Sequence, residues 1–285
     1  MMKKTLMLLV LGGLSLAGAQ SAQTPTEAPL RYQTGQIALL GGKAQLSTGA
    51  GLRYLDAAGA REVIVGQWGN PPEAAEDVLG MIVPAGLEPG TEEGWGVVIT
   101  ESKDGHVSDK DAAGINYDTL MRDMQAATQE ENGAREEAGF GTVNLVGWAD
   151  QPRYDAATHK MYWAKELAFS DNPGEHTLNY AVRILGRDNV LELNAVASMG
   201  QLPQIKRDMA AVLSQVSFTP GARYEDFNPN TDQLATYGIA GLLGVAAAKK
   251  VGLLAAALLF LKKGWILIAA ALGGLIRLRG RRARA

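Results

Sequence analysis

The sequence lacks cysteine, contains only three histidines, and has no acidic residue outside the interval from Glu27 to Asp232. The absence of cysteine excludes disulfide bonds from the forces that hold the fold together. The three histidines form neither an H-E-x-x-H motif nor a closely spaced pair, which are the usual sequence patterns of zinc sites. We therefore predict no metal and no cofactor.

The uneven distribution of charge is more informative than the net charge of -3. The interval that holds all 30 acidic residues contains 16 of the 27 basic residues and so carries a net charge of −14. The other 11 basic residues lie in the two apolar ends of the chain. This pattern excludes a basic nucleic-acid-binding domain and is typical of an acidic exported body with a basic membrane anchor.

The N-terminal end has the three parts of a secretory signal peptide. Lys3 and Lys4 form a positive region, a short apolar run follows, and Ala17-Gly18-Ala19 gives the small-residue cleavage pattern. The apolar run is too short to span a bilayer, which needs about 20 residues. We predict a signal peptide over residues 1–19 and a flexible lead-in over residues 20–36.

The C-terminal end is apolar over residues 237–276, which we predict to be a membrane anchor with its span at 251–276. Two lysines near the centre of this span cost about 2.5–3.5 kcal/mol each, and its 13 Leu, Ile, Val and Phe residues return about 0.3–0.6 kcal/mol each, so insertion is marginal. Five arginines in the tail, residues 277–285, predict a cytoplasmic C-terminus by the positive-inside rule.

Two lysine pairs, Lys249-Lys250 and Lys262-Lys263, interrupt the anchor, and two interpretations of them stay open. Charged residues inside a membrane usually face a protein partner or a counter-charge, which favours a second envelope membrane protein as partner. Lysine side chains also extend to the interface, with local thinning of the bilayer, and need no partner for that.

The body of the chain, residues 37–218, mixes short strands with amphipathic helices. Leu178, Tyr180, Val182 and Ile184 alternate as in a half-buried strand. The pattern predicts an α+β fold: an antiparallel β-meander with flanking helices, plus a C-terminal transmembrane or membrane-associated helix. A division into two subdomains near residue 140 stays open, and residues 219–236, which contain two prolines, are predicted to be a linker. The predicted elements are helices at 57–67, 117–131 and 202–214 and strands at 78–83, 95–101, 143–149, 160–167, 176–185, 190–197 and 215–218.

Several short motifs resemble those of a predicted bacterial membrane-anchored family that is catalogued as a domain of unknown function. These motifs are Gly147-Trp148-Ala149, Pro152-Arg153-Tyr154-Asp155, Trp163-Ala164, Arg183-Ile184-Leu185-Gly186-Arg187 and Gly221-Ala222-Arg223-Tyr224. The resemblance covers nearly the whole mature chain and implies export and membrane anchoring, but no activity and no catalytic residue. The order of sheet, helix and final short strand is also similar to PsbP-like sandwiches, which suggests a fold only.

Aromatic and basic residues around two adjacent strands form the candidate binding region, with a ligand set of Trp148, Arg153, Tyr154, Trp163 and Arg183. Facing aromatic rings could form a groove for a peptide or a glycan, with an arginine that recognises an anionic group. Aromatic residues on meander strands also commonly pack in the core, which is the alternative interpretation.

No catalytic motif is present: the mature chain has no G-x-S-x-G, no P-loop and no Rossmann fingerprint. We therefore predict a non-enzymatic binding or scaffold domain on the outer side of the bacterial cytoplasmic membrane, with the membrane and another envelope protein as partners. The alternative is an envelope hydrolase that uses carboxylates of the region Trp148–Glu166, and it requires two of them to converge in a pocket.

Overall fold

The computed structural model describes residues 29–70, 72–91, 93–137 and 141–243. Twelve strands and four α-helices are formed in this part of the chain, together with a π-helical turn at Glu62–Gln67. The elements are β1 (Gln36–Leu39), β2 (Ala44–Ser47), β3 (Leu52–Asp56), α1 (Ala57–Arg61), β4 (Gly80–Pro84), β5 (Gly96–Ser102), β6 (His106–Ser108), α2 (Tyr117–Glu137), β7 (Val143–Asp155), β8 (Lys160–Phe169), β9 (His176–Leu185), β10 (Val190–Ser198), α3 (Leu202–Ser214), β11 (Val216–Phe218), β12 (Leu234–Gly238) and α4 (Ile239–Leu242).

The main sheet has seven strands in the order β3-β4-β5-β10-β9-β8-β7, and every neighbouring pair is antiparallel. Strands β7 to β10 follow one another in sequence and in space, so the predicted meander is present. The two halves of the chain meet where β10 pairs with β5. The predicted α+β class with a large antiparallel sheet is thereby confirmed.

The alternation of side chains along each strand gives the sheet two different faces. On the first face, Tyr180 and Val182 of β9 pack against Ile205 and Met209 of α3, all of them buried. A three-stranded sheet, β1-β2-β11, covers the same face and contributes Leu46 to this core. The first face is therefore apolar across the middle of the sheet.

The second face carries two separate apolar clusters. One lies under α1 and the π-helical turn, where Ile64 packs with Met81 and Val98. The other lies under α2, where Met124 packs with Met161. Between the two clusters, the face carries Thr100 of β5, Glu192 of β10 and Arg183 of β9, which belong to neither cluster.

The predicted helix at 57–67 begins as expected but changes its geometry after one turn. Asp56 caps it, since its Oδ1 accepts a hydrogen bond from the Gly59 amide at 2.9 Å. From Glu62 to Gln67 the backbone is π-helical, with buried Val63 and Ile64. Hydrophobic periodicity does not reveal such a change, because it reports which face is buried and not the hydrogen-bond register.

Helix α2 covers part of strand β7, which lies at one edge of the main sheet. The Asn132 amide donates to the Val143 carbonyl at 2.9 Å and accepts from the Val143 amide at 2.8 Å. Gln125 donates to the carbonyls of Leu145 and Val146, at 3.1 Å each. In the described part of the chain no further strand pairs with this edge, and these backbone groups are bonded to side chains instead.

Residues 219–236, which we expected to be a linker, pack on the body instead. Arg187 binds Asp232 in a bidentate ion pair at 2.7 and 2.9 Å, and β12 pairs in parallel with β6. Asp111 then accepts hydrogen bonds from the amides of Ile239 and Ala240 at 2.9 and 3.1 Å. We call residues 219–243 the C-terminal segment. Its polar residues, which suggest a linker by their composition, therefore form contacts that hold it against the domain.

No helix within residues 29–70, 72–91, 93–137 and 141–243 has the length and hydropathy that a membrane crossing needs. The predicted signal peptide 1–19, the first part of the lead-in, the span 251–276 and the tail 277–285 all lie outside the described residues. The same is true of Lys249, Lys250, Lys262 and Lys263. These predictions stay predictions.

Candidate functional site

Polar residues run across the middle of the second face, between the two apolar clusters. Strand register places Arg183 of β9 opposite Glu192 of β10, and Glu192 opposite Thr100 of β5. Lys165 of β8 lies opposite Asn179 of β9. We call this set, with Asn194, the polar strip: Thr100, Lys165, Asn179, Arg183, Glu192 and Asn194.

Arg183 is the centre of a hydrogen-bonded ion pair in the strip. Its Nε lies 3.4 Å from Glu192 Oε1, and its Nη1 donates to Asn194 Oδ1 at 3.2 Å. Thr100 donates to the other oxygen of Glu192 at 3.1 Å. The side chains of Arg183 and Glu192 are only 13% and 18% exposed, so this pair lies in a medium that screens charge less than water does.

Lys165 is the second cation of the strip and has no acidic partner in the described part of the chain. It is half-buried, and desolvation together with the nearby charge of Arg183 lowers its pKa to about 8. Its ammonium group is therefore still mostly protonated at neutral pH. An unpaired, partly desolvated cation beside a second cation is an unfavourable arrangement for the protein by itself.

Two buried polar atoms near the strip also have no hydrogen-bond partner among the residues that the structure describes. They are Trp163 Nε1 and Thr177 Oγ1, in residues that are 3% and 2% exposed. Buried polar groups without a partner cost about 1–3 kcal/mol each and are uncommon in native structures. Both belong to strands that carry the strip, β8 and β9.

The sheet separates the residues that we predicted as one ligand set. Trp163 and Arg183 lie on the second face, where the guanidinium of Arg183 is 5.1 Å from the Trp163 ring centroid. Arg153 lies opposite Tyr162 of β8, whose ring packs against the first-face core, and stacks on that ring at 4.6 Å. Of the six residues of the strip, sequence reasoning identified only Arg183 and missed the other five, although polar residues at 179, 183, 192 and 194 do alternate with apolar ones.

Trp148 and Tyr154 pack at the end of the second face rather than in the strip. Both contact the cluster under α2, and the Trp148 indole donates to the Tyr117 carbonyl at 3.3 Å. The Tyr154 hydroxyl donates to Asp109 Oδ2 at 3.0 Å and also lies 3.0 Å from His159 Nδ1. These two residues therefore join β7 to neighbouring elements, which agrees with the core interpretation of the aromatic residues.

Stacked rings attach the C-terminal segment to the sheet. The His159 ring stacks on Tyr224 with centroids 4.0 Å apart, and the His106 ring stacks on Phe227 at 4.0 Å. Desolvation lowers the pKa of His106, whose Nδ1 lies 3.1 Å from the Arg187 carbonyl. These histidines hold segments together and do not surround a common empty site.

The carboxylates of the region Trp148–Glu166 do not converge. Asp150 pairs with Lys206 at 2.9 Å, and Glu166 contacts His176. Asp155 bonds the turn that follows β7, and the Thr158 hydroxyl holds the pKa of that carboxyl below its usual range. Within the described residues no group of acidic or histidine side chains could hold a metal ion. The arrangement that the hydrolase alternative requires is thus not formed by these three residues.

Lys165 should reduce the stability of the fold, and its replacement tests this directly. Because its pKa falls from about 10.5 when unfolded to about 8 when folded, protonated Lys165 opposes folding below pH 8. We expect Lys165→Met to stabilise the protein by about 1 kcal/mol at pH 7, as measured by urea unfolding. The gain should shrink between pH 8 and pH 10.5.

Lys160→Met is the matched control, because the Lys160 ammonium donates to the Leu213 carbonyl at 2.7 Å and the variant loses that bond. A Lys165→Met variant no more stable than Lys160→Met at pH 7 would contradict the idea.

Comparisons with known proteins supply a family and distant similarities of structure. No curated protein matches the chain. Among solved structures, CyanoP, the PsbP protein of the cyanobacterium Synechocystis, is 10% identical with a TM-score of 0.38, covering 71% of this chain and 100% of its own. The Ran-binding protein Mog1p of Saccharomyces cerevisiae is 12% identical with a TM-score of 0.35, covering 67% and 96%.

The family assignment rests on a match over most of the chain. The sequence model described as "Protein of unknown function (DUF2167)" matches residues 31–273, which include the whole sheet, α2, α3 and the polar strip. This confirms the predicted membership in a family of unknown function. The chain belongs to the DUF2167 family.

Proposed function

We propose that the chain is a non-enzymatic binding domain of the bacterial envelope, anchored to the membrane by its C-terminal end, which holds a partner on the second face of its sheet. One observation carries the proposal: the middle of that face is occupied by a partly buried polar strip that is incompletely paired with the described residues. Such groups are costly in a free domain, and a bound partner offsets the cost.

A binding role agrees with the chemistry of the strip. Glu192 is engaged by Arg183 and Thr100, so it is not a free base, and the strip contains no histidine, serine or cysteine. General acid–base or nucleophilic catalysis in the strip would therefore fall to Lys165, since Thr100 already donates to Glu192. The strip provides hydrogen-bond donors and charge, which position a partner.

The proposed location rests on the charge distribution and on the C-terminal segment. The acidic body and the basic, apolar ends favour export with a cytoplasmic C-terminus. The segment is bonded to the body up to Leu243, which is buried. The predicted span begins at residue 251, so at most eight peptide units, about 28 Å when fully extended, separate the domain from it. A partner on the second face would therefore lie near the membrane.

Site-specific photo-crosslinking of the full chain in bacterial membranes tests this proposal. A photoreactive residue in place of Asn194, in the strip, should give one discrete adduct. The same residue in place of Gln204, on the exposed side of α3 beyond the first face, is the matched control and should give none. Lys165→Met should abolish the adduct at position 194. Equal adducts from both positions, or none from either, would show that the second face is not the binding surface.

A further inference from the structure

We infer that the polar strip binds an oxyanion, a carboxylate or a phosphate, through Lys165 and Arg183 together. The inference rests on the proposed function and adds the chemistry of the group that is bound. It follows from the sign of the uncompensated charge, from the donors that stay unused, and from the lack of an ion pair between Lys165 and any described acidic residue.

The charge of the strip is positive although the body as a whole is strongly acidic. The strip contains two cations, Lys165 and Arg183, and one carboxylate, Glu192. Residues 27–232 carry a net charge of −14, so acidic side chains are abundant elsewhere on the surface. None of them approaches Lys165 closely enough to form an ion pair in the described part of the chain. The site therefore lacks a second negative charge, which an anion from outside the fold would supply.

The unused polar groups are mainly hydrogen-bond donors. The Lys165 ammonium forms no hydrogen bond with described residues, and Arg183 uses Nε and Nη1 but not Nη2. The Trp163 indole N–H, two positions from Lys165 on the same face of β8, is also without a partner among the described residues. A site with two cations and a neutral donor matches the acceptor-only oxygens of a carboxylate or phosphate.

The Glu192 carboxylate fixes Arg183 and leaves Lys165 free. Glu192 Oε1 lies 3.4 Å from Arg183 Nε, and the Trp163 ring lies beneath the guanidinium. Arg183 is therefore positioned before a ligand arrives, while the flexible ammonium of Lys165 adjusts to it. The two cations differ in role: Arg183 orients the oxyanion, and Lys165 neutralises its charge.

Calorimetric titration of the full chain in an uncharged detergent tests the inference. The probes are sodium phosphate and sodium succinate, with glycerol as a neutral compound of similar size. We expect at least one of the two anions to bind, glycerol not to bind, and Lys165→Met to weaken binding tenfold or more. Arg153→Met is the matched control, because Arg153 lies on the first face, and should leave affinity unchanged.

The pH dependence gives a second, independent readout. Because the ammonium of Lys165 is lost as the pH rises through about 8, affinity for the anion should fall from pH 7 to pH 9. Phosphate changes its own charge near pH 7, so this readout uses succinate, which stays fully ionised over that range. In Lys165→Met this fall should disappear. Equal affinity of the chain and Lys165→Met, or binding of glycerol as strong as that of the anions, would overturn the inference.

The two proposals fail in different ways. A discrete crosslink at position 194 without anion binding would retain the second face as binding surface and reject the oxyanion. Anion binding without a crosslink would retain the chemistry of the strip and reject a partner on that face. Comparison of phosphate with succinate further shows which of the two oxyanions the strip prefers.

Discussion

Arg183→Met is expected to destabilise the protein by about 2–3 kcal/mol, although the neighbouring Lys165→Met is expected to stabilise it. Arg183 is the charge partner of Glu192, and both side chains are less than a fifth exposed. Without the guanidinium, Glu192 keeps only the Thr100 hydroxyl, and a partly buried carboxylate without a counter-charge is costly.

Urea unfolding at pH 7 measures this effect, and two further variants identify its cause. The double variant Arg183→Met with Glu192→Gln should recover more than half of the loss, because it removes the uncompensated charge. Arg153→Met removes an arginine that also stacks on an aromatic ring but has an exposed side chain, and should cost less than 1 kcal/mol. A loss in Arg183→Met no larger than in Arg153→Met would show that the ion pair does not stabilise the fold.

Gly80→Ala is expected to cost about 2–3 kcal/mol, because the first residue of β4 has no room for a side chain. A Cβ atom there would overlap the Tyr54 hydroxyl and would lie 2.5 Å from the Leu55 carbonyl oxygen. The Tyr54 hydroxyl donates to the Leu79 carbonyl at 2.8 Å, so its movement would also break a hydrogen bond. Overpacking of a buried site typically costs about 1–3 kcal/mol.

Gly147→Ala, in β7, is the control for this substitution. A Cβ atom at position 147 meets no other atom within 4 Å, so the same chemical change should leave stability unchanged or raise it slightly. The midpoint of urea unfolding should therefore fall for Gly80→Ala and not for Gly147→Ala. Similar midpoints for the two variants would contradict the steric explanation.

The elements of the fold could be predicted from sequence because their signals are local. The alternation from Leu178 to Ile184 indicates β9, and the apolar spacing of Ile205, Met209 and Val212 indicates α3. Both elements are present with the predicted bounds, and the Asp56 cap begins α1 as expected. Each of these predictions depends only on residues that are close together in the sequence.

The polar strip could not be predicted in this way, because it depends on the order of the strands. Thr100 and Glu192 are 92 positions apart in sequence and meet because β5 pairs with β10. Arg153 and Arg183, by contrast, carry the same side chain but lie on opposite faces, since successive positions of a strand face opposite sides of the sheet. Which strands are neighbours, and which face each position takes, depend on how the whole sheet is assembled and not on a short stretch of sequence.

The C-terminal segment shows a different limit. Prolines and polar residues at 219–236 are typical of linkers, and the same residue types also form turns and ion pairs on a surface. Asp232 Oδ2 lies 2.7 Å from Arg187 Nε because Arg187, in the turn between β9 and β10, places its guanidinium next to this segment. Composition thus describes what a segment is made of and not whether a docking surface exists for it.

The amide side chains that α2 places along β7 restrict how copies of this protein can assemble. An incoming strand from a second chain would need the amide and carbonyl of Val143, and both are already bonded to Asn132. The bulges farther along β7 disturb the spacing that such a strand would have to match. Crowding at high concentration therefore does not lead to chain-to-chain sheet growth from this end of β7, and fibril formation there requires α2 to detach first.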